Sequence, residues 1–127
     1  MGSDGKNLAD PKAATSKPQV SIDDYEKNLR TLVARLKKTN AKLIWCATTP
    51  VPEGAKGRVV GDSVKYNKVA AAVMKENDIA IDDLYSFAKP RLKETQKPKD
   101  VHFTPAGSTA LAEEVVKHIN VAIGSTE

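Results

Sequence analysis

Aromatic residues are scarce in this 127-residue chain, which has one Trp, three Tyr and two Phe. They do not alternate with a basic stripe. The net charge of +4 comes from 20 Lys and Arg against 16 Asp and Glu, spread along helix faces and offset locally, as by Glu26 beside Arg30. A nucleic-acid groove concentrates cations and stacking surfaces, so this pattern argues against such a partner. A single Cys rules out an intramolecular disulfide. That Cys46 lies inside Leu43-Ile44-Trp45-Cys46-Ala47, where a buried, inert thiol is expected. Two His and one Cys give no cluster at metal-ligand spacing, so the sequence implies neither metal nor cofactor. No apolar run approaches a membrane span and none forms a signal-peptide core, which leaves the cytoplasm as the default compartment.

The length suits one domain with a modest core. Residues 1–19 are rich in Lys, Asp, Gly, Pro and Ser with few apolar side chains, and are expected to form a flexible arm. Residues 20–123 carry the periodic patterns, and 124–127 make a short tail. Ser21-Ile22-Asp23-Asp24 approximates a capping box, and Tyr25, Leu29, Leu32, Val33 and Leu36 recur at helical spacing. Lys37, Lys38 and Asn40 suit that helix's end. The apolar run 43–48 has strand length and suits a strand covered on both faces. Pro50 and Pro52 end it, and a loop follows. Asp62 or Ser63 is expected to cap a second helix that points Tyr66, Ala70, Val73 and Met74 inward, with Asn77 as its left-handed stop. Ile79-Ala80-Ile81 reads as a second strand, and Leu84 to Ala88 as a helical turn broken at Pro90.

The order α-β-α-β-α favours parallel strands with right-handed crossovers. Chemistry in such sheets gathers at the carboxyl ends of the strands. The loops 48–63 and 82–102 both leave from those ends, and are expected to face each other.

The second loop ends in Lys97-Pro98-Lys99-Asp100-Val101-His102-Phe103-Thr104-Pro105-Ala106-Gly107. Thr104 suits a helix N-cap and Pro105 the first helical position. Leu111, Val115, Ile119 and Ala122 then continue an amphipathic helix. A carboxylate beside a histidine at the mouth of a helix is a common layout for a general base and the group that orients it. A local stabilising pair is the other reading of Asp100 and His102.

Asp-Val-His-Phe-Thr-Pro-x-Gly followed by a Leu-Ala helix resembles the last block of the SGNH (GDSL-type) hydrolases. The usual family spacing is Asp-x-x-His, whereas here Lys99 stands three residues before His102 and Asp100 two. The resemblance covers roughly 20–123 and corresponds to the C-terminal part of that fold. It implies a partial flavodoxin-like, three-layer α/β sheet. The family's first three strands, its strand-borne nucleophile block and its Gly and Asn blocks have no counterpart here.

Gly61-Asp62-Ser63-Val64 reads like the family's nucleophile block, in front of a helix whose free N–H groups suit an oxyanion. Two functional readings follow from the resemblance. In one, the chain is an esterase acting on small carboxylic esters without a cofactor: Ser63 attacks, His102 is the general base and Asp100 orients it. In the other, it is a non-catalytic module that self-associates or complements a missing N-terminal half. A sheet of only two strands leaves the 43–47 edge open, so a homo-oligomer is expected under either reading.

Overall fold

A computed structural model describes Asp10 and residues 12–124. Most of the expected arm, residues 1–9 and Pro11, lies outside the described residues, as do 125–127 of the tail. The order of elements is α1 (Ile22–Lys37), β1 (Ile44–Cys46), α2 (Asp62–Glu76), β2 (Ala80–Asp82), α3 (Leu84–Ala88), a 3-10 turn at Lys89–Arg91, α4 (Leu92–Thr95) and α5 (Pro105–Ile123).

The helix signals act as their chemistry dictates. Ser21 caps α1 by accepting the Asp24 N–H, and its hydroxyl donates to the Asp24 carboxylate at 2.8 Å. Asp83 caps α3 through the Ser86 N–H. Gly124 closes α5 in the left-handed conformation. Two assignments differ from expectation. Gly61 is the N-cap residue of α2, at φ +91°, and neither Asp62 nor Ser63 caps it; both lie in the first turn. At the other end Asn77 has φ −106°, and the left-handed residue is Asp78 at φ +55°. The Asn77 side chain instead donates to the Val73 carbonyl, closing the last turn from within.

The two strands pair in parallel, with Ile44 opposite Ala80, Trp45 opposite Ile81 and Cys46 opposite Asp82. Helix, strand and parallel pairing agree with an α/β arrangement. The described residues form only this two-stranded sheet, smaller than the three-layer sheet that the resemblance implies. Just past β1, Asn67 on α2 takes both backbone groups of Thr48: its Oδ1 accepts the N–H at 2.9 Å and its Nδ2 donates to the carbonyl at 2.8 Å.

The core joins Leu29 and Val33 of α1 to Ala70, Val73 and Met74 of α2, with Trp45, Ile79 and Ile81 packed against them. Strand periodicity turns the next pair, Cys46 and Asp82, to the opposite face. β1 is not covered on both faces: Ile44 and Trp45 are half-buried and Cys46 is exposed, which corrects the expected buried thiol. Partial burial and the charge of nearby Asp82 both raise the Cys46 pKa, so the thiol stays protonated and a weak nucleophile despite its exposure. Apolar side chains also remain open on α1 (Leu32, Leu36) and on α5 (Val116, Ile119, Ile123). No helix among the described residues is long and apolar enough to cross a membrane.

Candidate functional site

Two loops meet beyond the carboxyl ends of the strands. The buried Gln96 side chain donates to the Val101 carbonyl at 3.1 Å and to the Pro50 carbonyl at 3.4 Å, tying the 97–104 loop to the segment after β1. The Lys99 side chain lies over Gly54, close enough that a Cβ there would sit 3.0 Å from its Cγ. The loops therefore do face each other.

The 97–104 loop is a closed structure. Thr95 and Thr104 pinch its base, the Thr104 N–H donating to the Thr95 carbonyl at 2.8 Å. Within it, Lys97 N–H donates to the His102 carbonyl, and Asp100 N–H donates back to Lys97. Pro98 fits the second position of that turn, and Lys99 takes φ +55° at the third, where glycine is the usual residue. This tight path brings Asp100 back over His102.

Asp100 Oδ1 accepts the His102 backbone N–H at 3.1 Å and lies 2.6 Å from the ring Nδ1. One oxygen thus fixes both the backbone and the imidazole, so the two-residue spacing is sufficient for pairing. With Nδ1–H donated to the carboxylate, Nε2 carries the lone pair and is the atom able to take a proton. The His102 side chain is 76% exposed, so that atom has open access. Such an arrangement has the form of a base with an orienting partner, and among the described residues no hydroxyl or thiol is hydrogen-bonded to the ring.

The His102 backbone N–H first, then its ring, then Lys97 nearby, hold the Asp100 carboxyl below the usual carboxylate range. For a depressed carboxylate the linked stability is fully present above its unfolded value, near ~3.9, and is lost as pH falls through the lower folded value. In an acid titration followed by carboxyl carbon NMR, Asp100 should therefore protonate at lower pH than an aspartate in a short unstructured peptide measured alongside. Simultaneous titration would mean that the turn is open in solution.

Ser63 stands apart from this pair. It is buried, and its Oγ has no hydrogen-bond partner among the described residues, His102 included. It lines a cleft with Tyr25, Tyr66, Thr48 and Asp62, against which Ser16 to Gln19 also lie; His102 does not line it. The structure thus brings Asp100 and His102 together and leaves Ser63 without a bond to either.

Three contributors escaped the sequence reading: Gln96, the Asn67 clamp, and a cluster of Asp82, Glu114 and His118 between β2 and α5. Gln96 carries no signal in sequence. Asn67 could have been suspected as a polar residue one position after Tyr66 on the inward face. Glu114 and His118 are four apart, hence neighbours on one helix face.

No protein-family model matches the chain, and no curated protein matches it in sequence. Among solved structures, the crystal structure of an acetyl xylan esterase, AlAXEase, is similar, with a TM-score of 0.66 at 17% identity. The similarity covers 86% of this chain and 60% of that one. At that identity the likeness concerns fold: the chain has part of an esterase-like fold and spans about 60% of the length of that esterase.

Proposed function

We propose that this chain carries the acid–base half of an ester-hydrolysing site, with His102 as general base and Asp100 as its orienting group. The observation that carries the reading is the 2.6 Å contact between Asp100 Oδ1 and His102 Nδ1 on a highly exposed ring. In the proposed reaction Nε2 takes the proton from a hydroxyl nucleophile as it attacks the ester carbonyl, then returns it to the leaving alcohol. The nucleophile comes from outside the described residues or from another chain. Small carboxylic esters are the substrate class, and the partial likeness to an acetyl xylan esterase supports a short acyl group.

A second reading keeps the nucleophile in the chain at Ser63. Its support is the first-turn position on α2, where free N–H groups and the helix dipole favour a developing anion. Burial of its Oγ favours the first reading. An activated acetate ester separates them. An exposed imidazole cleaves such esters slowly unaided, so His102→Gln should remove most of the chain's rate while Ser63→Ala leaves it intact. A serine-directed fluorophosphonate should not label the chain. A rate that survives His102→Gln would refute the acid–base role; labelling at Ser63, with loss of activity in Ser63→Ala, would return the nucleophile to this chain.

The same proposal extends to the fold. Each strand of the two-stranded sheet has one edge without a strand neighbour among the described residues, and α1 and α5 carry open apolar side chains. Strands added to β1 by a second copy would cover that edge and build a larger three-layer sheet. Sedimentation of the purified chain should show a species heavier than the monomer at micromolar concentration. A monodisperse monomer throughout that range would leave completion of the sheet to a different polypeptide.

A further inference from the structure

We propose that Asp82, Glu114 and His118 form a binding site for a divalent transition-metal ion of the zinc class, which fastens α5 to the end of β2. All three offer ligand atoms within 4.8 Å of one another. His118 Nδ1 lies 3.5 Å from Asp82 Oδ1 and 3.8 Å from Glu114 Oε1. Four ligands at 2.0–2.1 Å around a tetrahedral ion are about 3.3 Å apart, so small side-chain movements close these edges onto one centre. Three protein ligands leave the fourth position to water.

A separate observation points to a ligand. Asp82 is 1% exposed, yet its Oδ1, the oxygen facing His118, has no hydrogen-bond partner among the described residues. A buried carboxylate oxygen is normally paired, and an unpaired one carries a desolvation penalty. Its other oxygen lies near the Cys46 thiol, at the 4.0 Å limit for a bond to sulfur. A cation between the carboxylates and the imidazole would satisfy the orphan atom.

The ligand set limits the ion. An imidazole with two carboxylates suits zinc and its neighbours, whereas calcium takes six to eight oxygens and magnesium a mostly hydrated octahedron. Entry is open on the helix side, where the His118 and Glu114 side chains are 33% and 20% exposed. His118 Nδ1 also lies 3.1 Å from the Glu114 backbone carbonyl. Ligation through Nδ1 uses the tautomer with its proton on Nε2 and gives up that contact. The competing arrangement is a protonated His118 between two carboxylates, which has no place for an ion.

Calorimetric titration of the whole chain with zinc chloride distinguishes the two. One zinc per chain should bind, raising the melting temperature, and Asp82→Asn, His118→Gln and Glu114→Gln should each weaken binding at least tenfold. Cobalt(II) should give the strong visible absorption of a four-coordinate centre. Glu114, on the solvent side, can be replaced with little risk to folding, so its variant and the cobalt spectrum decide the matter if Asp82→Asn does not fold. Absence of saturable binding up to millimolar zinc would overturn the site, as would binding indifferent to all three substitutions. Binding lost in His102→Gln but kept in His118→Gln would place the ion on the 97–104 loop and equally overturn it.

Discussion

Replacing Gly107 by alanine should destabilise the fold by about 3 kcal/mol, which for a domain of this size lowers the melting temperature by roughly 10 °C. Gly107 is buried at the third position of α5, and its N–H is the donor that Thr104 caps, at 3.0 Å. A Cβ there would overlap the carbonyl oxygen of Thr95 and sit 2.7 Å from its carbon. Backbone cannot swing aside as a side chain does. The same Thr95 carbonyl accepts both the N–H and, at 3.2 Å, the hydroxyl of Thr104. Alanine therefore pushes α5 away from α4 and opens the base of the 97–104 loop. Gly61→Ala is the matched control: it strains a positive φ with nothing within 4 Å, and should lose only about 1–2 kcal/mol. Equal losses in the two variants, read by thermal melts, would show that α5 does not sit this close to Thr95.

In an esterase assembled around the loop, His102→Ala should lower kcat/KM on a short activated ester by about 10³–10⁴-fold or more. Among the described residues the side chain bonded to the ring is Asp100, so no second base is held beside it to take the proton. Asp100→Asn should be the milder change, by roughly tenfold or more. Its oxygen can still accept the His102 backbone N–H and keep the turn, but its amide competes for the wrong tautomer. Steady-state kinetics on the two variants, with circular dichroism to verify folding, tests the order. A more damaging Asp100→Asn would mean that Asp100 chiefly holds the loop together, a role that loss of folding in the same variant would reveal.

Much of this was legible from local chemistry. Ser21 and Thr104 announce helix starts because a side-chain oxygen must meet an orphan N–H, and Pro105 strengthens the second signal. The Asp100–His102 pairing was also legible, since the partners share one turn. What escaped depends on contacts between distant segments. The α2 start was misassigned because Gly61 reaches a conformation open to few residues, which leaves Ser63 free to turn inward. Cys46 looked buried because an apolar run does not reveal how many strands flank it. Asp82 met His118 only through packing of α5 on the sheet, from the far side of a long stretch of chain.

The Asn67 clamp has a consequence for how the open sheet edge behaves. Successive residues of an extended chain direct their backbone groups to opposite sides, and the Ala47 N–H already points to Asp82 on β2. The Thr48 groups held by Asn67 thus belong to the other side, where a new strand would otherwise grow. One amide side chain stands in for a strand neighbour and ends the edge there. An uninterrupted apolar edge would recruit extended chains without discrimination and drive aggregation. This one presents little more than Ile44 to Ala47, so a partner must add contacts on α1 or α5 to hold. In the proposed assembly the blocked edge would serve as a gatekeeper, favouring a fitted partner over indiscriminate stacking.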